Sequence, residues 1–241
     1  MINAMITVRS GSTRLPGKCF MQLPTGKDVL THVIERCRTF GFAPIVATTD
    51  LYEDDRVAIT ALAAGARIYR GSVNDKMQRW LDAAIIHDIK QFVVVDCDDP
   101  LFDPDLTKNI YDMLVGDRYD YVLPDMRAYL GSHGMSVDVN ALGISVAEKV
   151  STDTEMVQKH IHGSADVGQF HIANSCIDSF EQQIRLTLDY PEDLIVISKV
   201  IESLGPMARR DQITDYFRMY PTICALNQFR NAEWRRKQEA S

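Results

Sequence analysis

Long apolar runs and paired cysteines are both missing from this sequence of 241 residues. Because no stretch of about 18 consecutive apolar residues occurs, a membrane-spanning helix is not expected. The first residues also lack the basic-then-apolar plan of a secretory signal peptide. The five cysteines, at positions 19, 37, 97, 176 and 224, form neither a CxxC pair nor an even-numbered disulfide framework. This usage favours a reducing compartment, so the sequence predicts a cytoplasmic protein with no membrane partner.

An excess of basic charge is missing as well. The chain carries 33 acidic and 26 basic residues, for a formal net charge of −7. A protein that coats nucleic acid needs the opposite sign, so no nucleic-acid partner is expected. An acidic chain can bind a small anion only through a local basic site or a metal. The composition, 46% hydrophobic and 24% charged, is otherwise that of a globular protein rather than a disordered or fibrous one.

The first half of the chain alternates short apolar runs with segments of helical periodicity. The strands predicted from this pattern are 4–8, 44–48, 91–95 and 119–123, and the helices are 27–40, 53–65, 74–88 and one that begins near Pro104. Such alternation predicts an α/β fold whose mainly parallel sheet is flanked by helices. Sheets of this type bind their ligands at the carboxyl ends of the strands.

Residues 125–175 interrupt the alternation. They contain strand-like pieces at 136–145 and 167–175 around a helical patch near 153–161. We interpret them as an inserted β-rich arm that could contact a second subunit. Regular order is predicted to return with a strand at 184–188, helices at 191–204 and 210–219, and a polar tail. The chain is thus interpreted as one domain, 1–241, with an insertion at about 125–175.

The segment that follows the first strand, VRSGSTRLPGK (8–18), is the most informative part of the sequence. It contains three cations, two glycines and no acidic residue. Glycines let the backbone approach a ligand closely, and the cations offer charge and donors to phosphate, which together indicate an anion cradle. Five residues separate Gly11 from Gly17, and Cys19 follows Lys18, so the segment is not a Walker P-loop. A plain basic surface loop stays open as the alternative.

Two further segments are rich in aspartate at predicted strand ends. DCDDPLFDPD (96–105) holds five aspartates, whose hard oxygens suit Mg²⁺ together with substrate phosphates. We interpret Asp98 as a metal ligand and expect Asp103 and Asp105 to cap a helix or face solvent. Asp189 ends the segment LTLD just before a helix start at Pro191, and it could share one Mg²⁺ with Asp98. Helix capping stays open as the alternative for Asp189.

Five segments carry a resemblance to a known family: RSGSTRLPGK (9–18), VATTD (46–50), YRGSVND (69–75), DDPLFDP (98–104) and RLTLDYPEDL (185–194). The chain resembles the cytidylyltransferases that activate acidic sugars. It is similar to their SpsF-like spore-coat polysaccharide branch and, more distantly, to the transferases that form CMP-linked 3-deoxy-manno-octulosonate and sialic or pseudaminic acids. The resemblance implies a Rossmann-like nucleotidyltransferase fold of the GT-A type, often dimeric, that uses CTP and Mg²⁺, with Mn²⁺ as a possible substitute.

The resemblance also assigns roles to residues. It implies catalytic roles for Lys18, Arg14 and Asp98, and metal binding by Asp98 and Asp189. The nucleotide-binding set that it implies is Arg9, Ser10, Gly11, Ser12, Thr13, Arg14, Lys18 and Arg70. The chain departs from the family pattern at Cys97, where glycine is usual, at Asp138, where glutamate is usual, and at Met156, where histidine is usual.

The predicted reaction moves CMP from CTP to an acidic sugar or similar anionic acceptor, with release of pyrophosphate, for surface polysaccharide or related glycan synthesis. Weaker candidates for acceptor binding are Arg127, His133, Asp138 and Arg185, with surface ion pairs or turns as the alternative. Three other interpretations stay open. They are a cytidylyltransferase for a small phosphonate or phosphorylated alcohol, a glycosyltransferase whose DxD motif is Asp96-Cys97-Asp98, and an inactive nucleotide-binding relative.

Overall fold

The computed structural model describes residues 1–12, 14–173, 179–233 and 236. The strands are β1 (Ile2–Thr7), β2 (Phe42–Thr49), β3 (Arg67–Gly71), β4 (Gln91–Asp96), β5 (Tyr121–Leu123), β6 (Ser136–Asp138) and β7 (Val167–Gln169). The helices are α1 (Val29–Thr39), α2 (Asp55–Ala63), α3 (Lys76–Ile86), α4 (Pro104–Asp117), α5 (Val139–Glu148), α6 (Pro191–Leu204), α7 (Arg210–Met219) and α8 (Pro221–Gln228). Within the described residues, no helix combines the length and the apolar character that crossing a membrane requires.

All seven strands belong to one sheet, in the order β3-β2-β1-β4-β6-β5-β7. The first four in that order run parallel, β6 lies antiparallel to both β4 and β5, and β7 runs parallel to β5. This arrangement confirms the predicted α/β fold with a mainly parallel sheet. The carboxyl ends of β1 to β4 therefore open onto one edge of the sheet, which we call the carboxyl edge.

Helices cover both faces of the sheet because alternate residues of the central strands are apolar on both sides. On one face Ile6 and Val95 pack with Val33 of α1. On the other face Met5 and Val94 pack with Trp80 of α3. Strands that are buried on both faces read as continuous apolar runs, which is why QFVVV and AMIT were identifiable in the sequence.

Three secondary-structure predictions are wrong, each for a physical reason. Residues 139–145, predicted as strand, are helical in α5, because Asp138 accepts hydrogen bonds from the backbone amides of Asn140 and Ala141 and so caps the helix. Residues 184–188, also predicted as strand, do not form a strand of the sheet. They make one isolated β-bridge, between Arg185 and Leu130. Their alternating apolar side chains report burial in the core rather than strand pairing. Part of the predicted polar tail, 221–228, is helix α8.

The predicted insertion supplies part of the main sheet. Its strand-like pieces contribute β6 and β7, the predicted helical patch is a 3₁₀ turn at Val157–His160, and residues 174 and 175 lie outside the described residues. The antiparallel strand β6 pairs directly with the central strand β4. A role of residues 125–175 in subunit contact stays a prediction.

Asp103 is the N-cap of α4, as expected, and its side chain accepts hydrogen bonds from the amides of Asp105 and Leu106. Because Asp103 is buried, Asp103→Ala would leave two donors without partners, and we expect it to lower the free energy of unfolding by about 1–2 kcal/mol. Urea denaturation would measure this. Asp112→Ala, at an exposed position of the same helix, is the matched control and should change stability by less than about 0.5 kcal/mol. Equal effects of the two variants would contradict the capping role.

Candidate active site

The loop that follows β1 is anchored to the end of β2 by a buried carboxylate. Asp54 Oδ1 accepts hydrogen bonds from the Ser10 amide at 2.7 Å and the Ser10 hydroxyl at 2.6 Å, and Asp54 Oδ2 accepts one from the Thr49 hydroxyl. Burial opposes the charged form, but these donors outweigh it and lower the pKa of Asp54. Sequence analysis missed this residue, although it lies in the acidic cluster that follows the second strand.

Backbone geometry within the loop directs Lys18 toward the carboxyl edge. The amides of Ser12 and Gly17 both donate to the Ser10 carbonyl, which closes the loop on itself. Gly17 adopts φ 68°, a left-handed conformation that glycine takes without strain, and Lys18 then begins a short 3₁₀ turn. A side chain at Gly11 would meet nothing within 4 Å, so the loop is open to a ligand there.

The ammonium group of Lys18 lies between two carboxylates. Its Nζ is 2.5 Å from Asp98 Oδ2 and 2.9 Å from Asp189 Oδ1. Arg14 reaches the same Asp189 oxygen, with an Nη2–Oδ1 distance of 2.6 Å. The structure therefore brings together the four residues that the resemblance assigns to catalysis and metal binding. We call Arg14, Lys18, Asp98 and Asp189 the ion-pair cluster.

Asp189 reaches the cluster although its segment is no sheet strand. The amide of Leu188 donates to the Asp98 carbonyl at 2.7 Å, which joins the two aspartate-bearing segments directly. Asp98 itself lies in the tight turn after β4, where the Asp99 amide donates to the Asp96 carbonyl. The predicted proximity of two aspartates thus arises from one backbone hydrogen bond rather than from two adjacent strands.

The cluster stabilises the charged forms of Lys18 and Asp189. Burial opposes the charge on Lys18, but Asp98 and Asp189 outweigh it and raise the pKa of the amine well above its ordinary value. Burial likewise opposes ionisation of Asp189, but Lys18 and Arg14 outweigh it and lower the pKa of that carboxyl. Lys18 and Asp189 are therefore charged at neutral pH and already positioned against each other.

A second set of carboxylates adjoins the first. Asp96, Asp98 and Asp99 each offer an oxygen within 4.8 Å of the others. Burial, assisted by Asp98, raises the pKa of Asp96 to about 6 although Lys76 opposes the shift, and burial also raises the pKa of Asp99. A cation bound among these crowded carboxyl groups would favour their ionised forms. Carboxylate oxygens are also ligands that Mg²⁺ and Mn²⁺ bind. The donor set around Asp98 therefore fits such a metal.

The other predicted nucleotide-binding residues are Arg9, Ser12 and Thr13 within the loop and Arg70 outside it. Arg9 is half exposed and lies 3.7 Å from Glu155, and the Ser12 hydroxyl accepts a weak hydrogen bond from the Leu15 amide. Arg70 donates to the carbonyls of Thr49 and Leu51 and to Asp55 at 2.6 Å, so its guanidinium braces the loop after β2. Thr13 lies outside the described residues.

Two predicted acceptor-binding residues are directed elsewhere. Asp138 caps α5 and pairs in register with Gln91, the first residue of β4. It therefore lies at the edge of the sheet opposite Asp96, about 16 Å away along the strand, so the structure does not bring it to the ion-pair cluster. Arg185 is buried and donates to Asp189 and Asp193. Acceptor binding by either residue stays a prediction.

Arg127 and His133 lie together beside Asp125. Arg127 pairs with Asp125 at 2.7 Å and donates to the Ile172 carbonyl. His133 accepts from the Asp125 amide through Nε2, so its neutral ring donates from Nδ1 to Ser132. Burial lowers the pKa of His133 to about 4, so its ring is neutral at neutral pH. Roles for Arg127 and His133 in acceptor binding stay predictions.

The depressed pKa of Asp189 makes part of the stability depend on pH. A carboxyl whose pKa is lowered by folding stabilises the native state above its unfolded pKa, and this contribution is lost as pH falls. We expect Asp189→Asn to be less stable than the wild type at neutral pH, and the difference to shrink between about pH 5 and pH 2. Urea unfolding across that range would measure it. Asp215→Asn, at an exposed helical ion pair, is the control, and a gap for Asp189→Asn that does not change with pH would contradict the ion-pair cluster.

Comparison with known sequences agrees with this arrangement. A family model described as cytidylyltransferase matches residues 3–159. The spore coat polysaccharide biosynthesis protein SpsF of Bacillus subtilis is 29% identical over 223 residues, which cover 83% of this chain and 86% of that protein. A 3-deoxy-manno-octulosonate cytidylyltransferase of Geobacter metallireducens is 33% identical over 119 residues, which are 48% of this chain and 45% of that enzyme.

Solved structures share the fold. A cytidylyltransferase from Leptospira borgpetersenii superposes with a TM-score of 0.81 at 22% identity, over 92% of this chain and 96% of that one. A CMP:2-keto-3-deoxy-manno-octonic acid synthetase, solved with CTP, superposes with a TM-score of 0.63 at 14% identity, over 84% of this chain and 99% of that one. The predicted nucleotidyltransferase-like α/β fold is thus confirmed. Since the family model extends over well more than half of the sequence, this protein belongs to the cytidylyltransferase family.

Proposed function

We propose that the protein transfers CMP from CTP to an acidic sugar acceptor, releases pyrophosphate, and serves the synthesis of a surface polysaccharide or a related glycan. The observation that carries the proposal is the position of Lys18 and Arg14 against two aspartates at the carboxyl edge, on an open loop without acidic residues. Proteins similar to this chain include a polysaccharide biosynthesis protein and an octulosonate cytidylyltransferase, which favours an acidic sugar as the acceptor.

The chemistry requires positioning and neutralisation of charge rather than a covalent intermediate. An acceptor oxygen attacks the α-phosphorus of CTP, and the bond to the bridging oxygen of pyrophosphate breaks. Lys18 and Arg14 would offset the negative charge that grows on the leaving pyrophosphate. The backbone of 9–12 would lie against the nucleotide, where Gly11 leaves room for close approach. Exclusion of water at the buried floor of the site would favour transfer to the acceptor over hydrolysis.

Asp98 and Asp189 would hold a Mg²⁺ or Mn²⁺ ion, and Asp96 and Asp99 add negative charge nearby. When bound, the metal would polarise the phosphate and neutralise charge on the reacting oxygens. The Lys18 ammonium bridges the same two carboxylates, so Lys18 and a metal would compete for their oxygens. The triphosphate would offer Lys18 another anionic partner. A homodimer in the cytoplasm stays a prediction from the sequence.

The competing interpretations predict different reactions. A glycosyltransferase with a DxD motif would hold a nucleotide-sugar through Asp96 and Asp98 and would release no pyrophosphate from CTP. An inactive relative would bind CTP and turn nothing over. A transferase for phosphonates or phosphorylated alcohols would show the same reaction with a different acceptor, so acceptor panels distinguish it from the proposal.

A pyrophosphate-release assay with the four ribonucleoside triphosphates and a panel of acidic sugars and phosphonates would test the proposed reaction. We expect turnover with CTP and an acidic sugar, and a loss of kcat of at least about 100-fold in both Asp98→Asn and Lys18→Met. Lys27→Met, which alters an exposed ion pair with Glu35, should retain activity within about twofold. Near-wild-type turnover by either site variant, with folding confirmed by circular dichroism, would refute the role assignments.

Because Lys18 and a metal would compete for the same carboxylates, loss of Lys18 should strengthen metal binding although it lowers kcat. Without nucleotide, Lys18→Met should bind Mn²⁺ about tenfold more tightly than the wild type, because no ion pair has to be broken first. Electron paramagnetic resonance of free Mn²⁺ would measure the affinity. Arg14→Met is the matched control, because it removes a cation from Asp189 alone. An equal gain in both variants would mean that Lys18 acts only through general charge.

A further inference from the structure

Beneath Asp189 lies a set of buried polar side chains that the reaction does not use directly. Arg185 is fully buried, and it donates to Asp189 Oδ2 at 3.2 Å and to Asp193 Oδ1 at 2.9 Å. Asp193, also fully buried, accepts through Oδ2 from the amides of Asp189 and Tyr190, each at 2.9 Å. The side chain and the backbone of Asp189 are therefore both held from below.

Helix α8 contributes a third residue, Asn227, to this buried set. Asn227 is 1% exposed, and its Nδ2 donates to Asp193 Oδ1 at 2.9 Å and to the Arg185 carbonyl at 3.0 Å. It contacts the side chain of one supporting residue and the main chain of the other. A neutral amide can do this without adding charge to a site that already pairs one guanidinium with two carboxylates.

The two carboxylate oxygens of Asp189 therefore have different partners. Oδ2 is occupied by Arg185 from below, while Oδ1 faces Lys18 and Arg14. Rotation of the carboxylate would break a hydrogen bond on each side. Buried partners that orient a metal-binding carboxylate in this way change metal affinity about 10- to 100-fold when they are lost.

We propose that Asn227 is a positioning residue, which acts through Asp193 and Arg185 to fix the orientation of Asp189. The proposal rests on the proposed function, because it takes Asp189 as a metal ligand. Loss of the Asn227 donors leaves Asp193 Oδ1 to Arg185 alone. The guanidinium then shifts toward Asp193 and away from Asp189 Oδ2, and the metal site loosens without any change in the residues that touch the ligand.

Binding of Mn²⁺ to the full-length protein, followed by electron paramagnetic resonance, tests the proposal well below the melting temperature. We expect Asn227→Leu to raise the Kd for Mn²⁺ about tenfold. Asn227→Ala, which removes the same donors without a bulkier group, serves if the leucine variant fails to fold. Gln228→Ala changes the next, half-buried position of α8, whose side-chain amide donates to Gln183, and it should leave the Kd unchanged.

Repetition in the Asp189→Asn background separates positioning from packing. If Asn227 acts through Asp189, its substitution should have no further effect on Mn²⁺ affinity in that background. A lower melting temperature with unchanged Mn²⁺ affinity would overturn the proposal and make Asn227 a packing residue. An equal effect in both backgrounds would also overturn it.

The same experiment distinguishes this inference from the proposed function. If Asp189→Asn weakens Mn²⁺ binding and Asn227→Leu does not, only the positioning role fails. If Asp189→Asn leaves Mn²⁺ affinity unchanged, Asp189 is no metal ligand and both fail. Absence of pyrophosphate release from CTP by the wild-type protein would refute the proposed reaction, while the Mn²⁺ measurements would still report on the geometry.

Discussion

The bridge from the Lys18 ammonium to Asp98 and Asp189 is the interaction on which the site depends. It joins residues separated by 80 and 171 positions in the sequence. The sheet brings β1 and β4 side by side, so that the loop after one strand meets the turn after the other. The segment that ends at Asp189 completes the bridge through one backbone hydrogen bond to Asp98. A shift of any of these three segments would leave buried charge without a partner, which costs several kcal/mol.

The distribution of charge accounts for how an acidic protein can bind an anion. The formal net charge of −7 is concentrated in part around Asp98, where three aspartates lie together. The loop opposite carries cations only, and two of them touch Asp189. Positive and negative groups are thus separated across the carboxyl edge by a few ångströms. A polyphosphate that arrives with a divalent cation matches both sides of this arrangement, and a bare anion matches only one.

Sequence reasoning expected Asp98 and Asp189 to lie close together because each follows an apparent strand end, and it assigned Arg14 and Lys18 to the nucleotide through the family resemblance. The structure places all four side chains in one cluster. The secondary-structure prediction was wrong where the local residue pattern does not match the tertiary structure. Residues 184–188 alternate like a strand, yet only one bridge forms.

The supporting residues were missed for a different reason. Asp193 has the position of an ordinary residue in the first turn of a helix, and nothing in its neighbourhood indicates that Arg185 and Asn227 converge on it. Asp138 lies away from the ion-pair cluster because β6 runs antiparallel to β4, a direction that the sequence does not specify. Long-range convergence and strand direction are properties of the whole fold, so no short segment encodes them.

The dependence of the site on Asp189 and α8 has a consequence for synthesis on the ribosome. Chains emerge from the amino terminus, so β1 to β4 and the cationic loop are made before residue 189 exists. During that interval Lys18 and Arg14 lack the Asp189 carboxylate that they share in the finished protein. The ion-pair cluster is therefore completed only after residue 189 has been made, late in synthesis.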